Sequence, residues 1–397
     1  MSIVVASATE DKVKPRCNFL SEYFGPYISW KLNYMLRTTL LWCLFYGANI
    51  GWAAVSQPCY VIGWGQNISG QTTGVPQGNP PGTPNNSTGL VMVAGQVLTN
   101  VRSVHAGEGY GLALKYDGSV LGWGENSLGQ GLGYRTADSF GTNGQVRVDG
   151  ALLTNVAAIS AGSFISLALL SNGLVVAWGD GPGRDGVGTP KVPPKMDTVI
   201  AVSAGTGRFL ALKKDGEVVQ WNTAGDLEQV PSSLSNVVAI AAGRIHYGHN
   251  LAVRGDGTVV DWTFGNEYPV PVEATNVISV ASGDTHNLAL RRDGTVVGWG
   301  ANRFGEATGI PTKGFPEDSK GIVIYKGKAL ENVVAIAAGC RISLALLKSG
   351  TVVAWGKGES VATSVPEGLT DITDIAAGDD FCLAITTNAA VAERFRH

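Results

Sequence analysis

Between Val101 and Gly124 the chain reads as three short stretches, VRSVHAG, GLALKY and SVLGWG. The first alternates apolar and polar residues, as a strand with one covered face does, and the other two are brief apolar runs bounded by turn residues, as buried strands are. Asp117-Gly118 separates the second from the third and predicts a two-residue type I′ hairpin. That turn would set Leu114 opposite Leu121 and Leu112 opposite Trp123, pairs worth ~0.2–1 kcal/mol each. The same signal recurs at Asn172-Gly173, Asp215-Gly216, Asp256-Gly257, Asp293-Gly294 and Ser349-Gly350, which makes these acidic residues turn formers rather than calcium ligands.

The three-strand unit is itself repeated. It stands at 99–124, 154–179, 197–222, 235–263, 275–300 and 331–356, with three extra residues inside RIHYGHN of the fourth copy. A seventh copy is split: TDITDIAAGDDFCLAITTN occupies 370–388, and its missing strand, YVIGWG, stands at 60–65. The unit's glycine falls at Gly107, Gly162, Gly205, Gly243, Gly283, Gly339 and Gly378, and its tryptophan at Trp64, Trp123, Trp178, Trp221, Trp262, Trp299 and Trp355. Seven of each predict an all-β, seven-bladed β-propeller whose N-terminal strand closes the C-terminal blade, with Trp64 beside Leu383 and Ile62 beside Ile385. Tryptophans so regularly placed are blade-core residues, not ligand stackers. Three connections, 91–100, 146–155 and 323–332, carry a further strand-like stretch, and the others contain Val-Pro at 192–193, 230–231, 270–271 and 365–366, suited to an outer edge.

After the tryptophan the chain reads WGQNISGQ (64–71), WGENSLGQ (123–130) and WGANRFGE (299–306). With the preceding unit this resembles the regulator of chromosome condensation repeat, in its compact bacterial form, over residues 60–388. The resemblance implies a seven-bladed propeller closed by its N-terminal strand. It also offers guanine-nucleotide exchange on a small GTPase, the namesake's activity, as an alternative function. A plant photoreceptor of the family places tryptophan directly after the repeat glycine, where this chain has Glu108, Ser163, Thr206, Arg244, Asp284, Cys340 and Asp379. The family's histidine three residues after the glycine survives as His286 and, after the insertion, as His249, a slot better suited to packing or strand capping than to catalysis.

Composition narrows the setting. Glycine makes up 54 of 397 residues, charged residues are 15%, and the net charge is −3, so no basic excess points to nucleic acid. Arg37 precedes the apolar run TLLWCLFYGANIGWAA (39–54), with small Gly51 and Ala53 at the −3 and −1 positions of a cleavage after Ala53. Residues 1–34 read as an extension, 35–53 as a signal peptide and 54–397 as the propeller. An uncleaved segment 36–54 would anchor the chain in a membrane. The expected location is therefore secreted or periplasmic in a bacterium, and the expected state a monomer. Cys59, Cys340 and Cys382, the cysteines beyond the leader, form no CxxC, and no disulfide to Cys59 is expected.

Chain direction puts the residues after each repeat glycine and those after each Trp-Gly on one face. That face gathers Glu108, Arg244, His246, Asp284, Arg341, Asp379 and Asp380 as candidate binding residues, the acids of blades 7 and 1 forming one sector. No catalytic residue, cofactor or metal site is assigned: GxSxG, HExxH and phosphate-loop motifs do not occur. Asp379, Asp380 and His286 holding a divalent cation in a propeller lyase or hydrolase is the remaining enzymatic alternative. The leading expectation is a non-catalytic scaffold that recognises a protein or glycan.

Overall fold

The computed structural model describes residues 58–76, 86–136, 141–179, 190–244, 249–313, 318–357 and 361–396. The extension, the apolar leader and His246 lie outside them, and among the described residues no helix is long and apolar enough to cross a membrane. Seven antiparallel sheets surround one axis, each starting at the centre with the strand that ends at a repeat glycine. Blade 1 comprises Val101–Ala106, Tyr110–Lys115, Val120–Gly124 and an outer strand, Thr142–Gln145. Blade 2 (Val156–Ala161, Ile165–Leu170, Val175–Gly179) has three strands. Blade 3 has Val199–Ala204, Arg208–Lys213, Val218–Asn222 and Leu227–Glu228, and blade 4 has Val237–Ala241, Asn250–Arg254, Val259–Thr263 and Asn266–Tyr268. Blade 5 has Val277–Ser282, His286–Arg291, Val296–Ala301 and Asp318–Ile322, whereas among the described residues blade 6 has Val333–Ala338, Ile342–Leu347 and Val352–Gly356 alone.

Blade 7 joins the chain ends. Tyr60–Gln66 lies between Phe381–Thr386 and Asn86–Leu90, with Ile372–Ala377 innermost. The closure is as expected, but its register is displaced by one residue: Trp64 faces Cys382 and Ile62 faces Ala384. The same correction applies in blade 1, where Leu114 faces Val120 and Leu112 faces Gly122. The cause is the turn. Lys115 N donates to Ser119 O (2.9 Å) and Gly118 N to Lys115 O (3.0 Å), so the loop holds three residues, not two. Only Gly118 takes a positive φ (79°), which is a type I turn closed by a glycine bulge rather than a type I′ turn. Asp117 serves the turn, its Oδ1 accepting from Ser119 N (2.9 Å) and Oγ (2.6 Å), and Asp256 and Asp293 do the same with Thr258 and Thr295. The corrected register sets Trp123 opposite Gly111, where a built Cβ would lie 2.4 Å from the indole, so the ring fills space that only glycine leaves.

Two further expectations change. The long connections fold into separate two-stranded hairpins, Met92–Val93 with Gln96–Val97, Arg147–Val148 with Ala151–Leu152, and Ile324–Tyr325 with Lys328–Ala329. Pro231, Pro271 and Pro366 open turns, their carbonyls accepting from Leu234 N, Ala274 N and Leu369 N, instead of lying in an edge strand. Among the described residues Cys59, Cys340 and Cys382 are joined in no disulfide.

Two devices lock blade to blade. Around the axis the repeat glycines touch: a Cβ on Gly162, Gly205, Gly283 or Gly339 would meet the next blade's glycine carbonyl at 2.3, 2.2, 2.4 or 2.0 Å. Farther out, the tryptophans are all buried and six of them donate to the preceding blade, while among the described residues the Trp221 Nε1 meets no acceptor. Trp123, Trp178 and Trp355 reach the carbonyls of Gln71, Gln130 and Glu306, and Trp64 reaches Ala362 O. The first three carbonyls belong to loops organised by a buried asparagine, Asn302 Oδ1, for example, accepting from Ala307 N and Thr308 N, whereas Ala362 lies in the 3-10 turn Val361–Thr363. Trp262 and Trp299 instead use side chains, Gln220 Oε1 (2.9 Å) and Asp261 Oδ2 (2.8 Å).

Candidate functional site at the channel mouth

The inner strands enclose an axial channel of about 560 Å³. Ala157, Ala201, Ala239 and Ala335 keep most of its wall small, while Arg102, His105 and Asp374 make the wall polar where blades 7 and 1 meet. Inner strands are stitched through their side chains: Asp374 Oδ2 accepts from Val104 N (3.0 Å), Ser160 Oγ from Ala204 N and Ser203 Oγ from Ala242 N (2.9 Å each). Burial pushes Asp374 up to about 6 and His105 down to about 4.

At one end of the channel the glycine ring delivers the residue after each glycine to the axis. Arg244 of blade 4 spans the opening. Its Nη1 donates to Ala377 O (2.8 Å) and its Nη2 to Asp379 Oδ1 (3.1 Å) in blade 7, and its Nε lies 3.8 Å from Asp284 Oδ1 in blade 5. Its carbonyl accepts from Ser163 Oγ (2.9 Å) of blade 2 and from Thr206 Oγ1 of blade 3. One residue thus ties five blades while staying 5% exposed. Glu108 and Cys340 complete the ring. Burial, then hydrogen bonding and repulsion from Asp284, pushes the Cys340 thiol well up, so it is a poor nucleophile at neutral pH.

The post-glycine loops and post-tryptophan loops share this face as expected, joined by Glu125 N to Gly109 O, Ala301 N to Thr285 O, Lys357 N to Arg341 O and Gln66 N to Asp380 O (2.8–3.0 Å). Of the candidates, Glu108, Arg244, Asp284 and Asp379 converge. Arg341 does not: its guanidinium lies 5.5 Å over the Phe304 ring. Nor does His286 join Asp379 and Asp380 on a cation, being buried with Nε2 2.8 Å from Ser343 Oγ. Among the described residues no three His, Cys, Asp or Glu side chains are placed to hold a metal ion. The His286–Ser343 contact looks like half a catalytic triad but is a tie between blades. Tyr110 makes the same link to Ser166 Oγ (2.9 Å), both serines donate onward to the loop carbonyls of Glu306 and Gln130, and both are fully buried. The expectation of packing at this slot fits that geometry.

Glu108 dominates the acid chemistry of the mouth. Burial, then Asp379 and Asp284, raises its carboxyl to about 7 against the partial relief of Arg244, and burial raises Asp379 to about 6. Folded Glu108 therefore keeps a proton that the unfolded chain releases near 4.5, so its stabilising contribution is present below that pH and is lost as the pH rises through about 7. His105 and His286, pushed down to about 4, act with the opposite sign between there and 6.5. The comparison that isolates Glu108 is wild type against Glu108→Gln. Urea denaturation across this range is expected to show the stability of wild type relative to the variant falling as the pH rises; a constant difference would remove the raised carboxyl.

Residues 101–130, 156–183 and 277–306 match the regulator of chromosome condensation (RCC1) repeat. Among solved structures the chain is similar to Prp20p from Saccharomyces cerevisiae, described with its binding properties to Gsp1p and histones, at 20% identity over 85% of this chain and 94% of that one, TM-score 0.63. A chain of the complex of Kap60 with yeast RCC1 (Prp20) matches at 18% identity over 98% of both, TM-score 0.66. Human WBSCR16 matches at 19% identity over 83% of this chain and 98% of that one, TM-score 0.63. At these identities the likeness is one of fold.

Proposed function

We propose that this propeller of regulator of chromosome condensation repeats is a non-catalytic binding platform whose partner, a protein, docks on the channel-mouth face. The observation that carries the reading is divergence confined to one end of a repeated unit. Seven equivalent positions hold Glu108, Ser163, Thr206, Arg244, Asp284, Cys340 and Asp379, whereas the opposite end repeats one hairpin turn. Close blade contacts require glycine before most of these positions, whereas the residue that follows differs in every blade but for the acids of blades 5 and 7. Among them Ser163, Thr206 and Asp379 are bonded into the Arg244 tie that joins the blades. Carboxylates outnumber the one buried arginine, which favours a partner segment with basic side chains. The partners described for the yeast relative, Gsp1p, histones and Kap60, are proteins, which accords with a protein rather than a glycan. The apolar run 39–54 supports work outside the cytoplasm, secreted or periplasmic.

Asp379 must be left intact in the test, because it pairs with Arg244 and its loss would disturb the ring. Affinity capture is run with wild type, with Glu108→Gln/Asp380→Asn, and with the hairpin-end pair Lys214→Ala/Arg292→Ala. A partner kept by wild type and the hairpin variant and lost by the mouth variant is the expected result. A partner that both variants keep, or both lose, would remove this face as the site.

A further inference from the structure

Blade 6 ends at its third strand. Among the described residues nothing pairs with the outer edge of Val352–Gly356, and by register Val352, Ala354 and Gly356 turn their backbone N–H and C=O outward. What belongs on that edge is visible in blade 1. There Thr142–Gln145 pairs with Leu121–Gly124 and also covers the preceding blade's loop and hairpin: Gly141 N donates to Ser69 O, Ala94 N to Asn143 Oδ1 and Asn143 Nδ2 to Gly74 O, each at 2.9 Å. Blade 5 presents an equivalent loop and hairpin to blade 6. Its Gly309 packs on Ile324 O as Gly74 packs on Met92 O, and Ile324 N donates to Thr308 O as Met92 N does to Thr73 O. Gly74 is buried beneath blade 1's outer strand, but Gly309 is partly exposed.

The uncovered place is a groove of about 440 Å³ between blades 5 and 6. Phe304, Pro311 and Tyr325 give it apolar walls, Ala354 and Gly356 supply the sheet edge, and Arg303 and Lys326 stand on its rim. Arg341 adds a third cation over the Phe304 ring, and among the described residues no carboxylate lines the groove. We propose that this groove is a β-augmentation site that takes an extended, acidic peptide segment of a partner protein as the fourth strand of blade 6. Main-chain hydrogen bonds to Val352, Ala354 and Gly356 would supply affinity, and the rim cations would select acidic flanks. This site is separate from the channel mouth and stands whether or not that face binds.

The probe is a fluorescein-labelled peptide carrying the chain's own outer-strand sequence, TNGQV of residues 142–146, between pairs of glutamates. Anisotropy is expected to report saturable binding, with slowed hydrogen exchange at Val352–Gly356. Binding should weaken at least ~10-fold in Ala354→Pro, which removes an outward N–H that an edge strand can spare, and in Arg303→Glu/Lys326→Glu. If Ala354→Pro does not fold, the charge-reversed variant and the exchange data decide. Equal binding of a lysine-flanked probe, unchanged exchange at Val352–Gly356, or a dimer that buries this edge in sedimentation would each overturn the assignment.

Discussion

A chain that begins at Gln66 is expected to lose its cooperative melting transition or to associate, whereas one that begins at Pro58 should melt as a monomer. The difference is the single strand Tyr60–Gly65. It pairs on one side with Phe381–Thr386 and on the other with Asn86–Leu90, so its removal opens two sheet edges at once. It also empties two core clusters: Ile62 and Trp64 pack with Ile342, Leu344 and the C-terminal residues Val391 and Phe395, and Val61 packs with Leu383 and Val101. Truncating one such large buried side chain costs ~2–5 kcal/mol, against a total stability of about 5–15 kcal/mol for a domain. The short helix Ala389–Arg394 cannot compensate, since Phe395 O needs Leu90 N, which the closing strand holds in place. Differential scanning calorimetry with sedimentation analysis tests this, and an unaltered monomeric melt from Gln66 would refute closure by that strand.

The repeat made the propeller and its closure legible because most of its glycines and six of its seven tryptophans answer to the same blade-to-blade contacts around the ring. The register error came from one turn: Asp-Gly suits both two-residue and three-residue hairpins, and the threonine or serine two places after the aspartate, which caps the longer turn, carried the unused signal. A second pattern was equally readable. The residue before the tryptophan is Gly63, Gly122 or Gly298 where a loop follows, since a Cβ there would lie within 2.0 Å of the carbonyl of Thr72, Gly131 or Ala307. In two of the blades without that loop the position holds Gln220 or Asp261, which accepts from the next tryptophan in the loop's place. In the other two it holds Ala177 or Ala354, which cannot accept, and among the described residues Trp221, in the blade after Ala177, meets no acceptor. At the mouth, the sequence placed Glu108, Arg244, Asp284 and Asp379 on one face but not their pairing. Arg244 reaches blade 7 across the axis, a contact of 135 residues' separation that local pattern does not encode.

Arg244→Met is expected to destabilise the protein by ~3 kcal/mol at pH 8 and by clearly less at pH 5. Removing one partner of a buried ion pair leaves the other uncompensated, typically at ~3–5 kcal/mol, and the lower end applies because the Asp379 side chain is 30% exposed. Ala377 O loses its donor as well. The pH dependence follows from the acids left behind. Asp379 and Glu108 already hold their protons to about 6 and about 7 with the arginine present, and without it both hold them to higher pH. At pH 5 they are neutral and need no cation, whereas at pH 8 folding must either keep ionised carboxylates in a dry ring or retain protons that the unfolded chain has released. Urea denaturation at the two pH values measures the difference. Arg244→Met/Asp379→Asn should recover part of the loss at pH 8, since one of the stranded charges is then gone. A cost equal at both pH values, unrelieved by the second substitution, would mean that Arg244 acts through its packing alone and that the mouth is not an electrostatic unit.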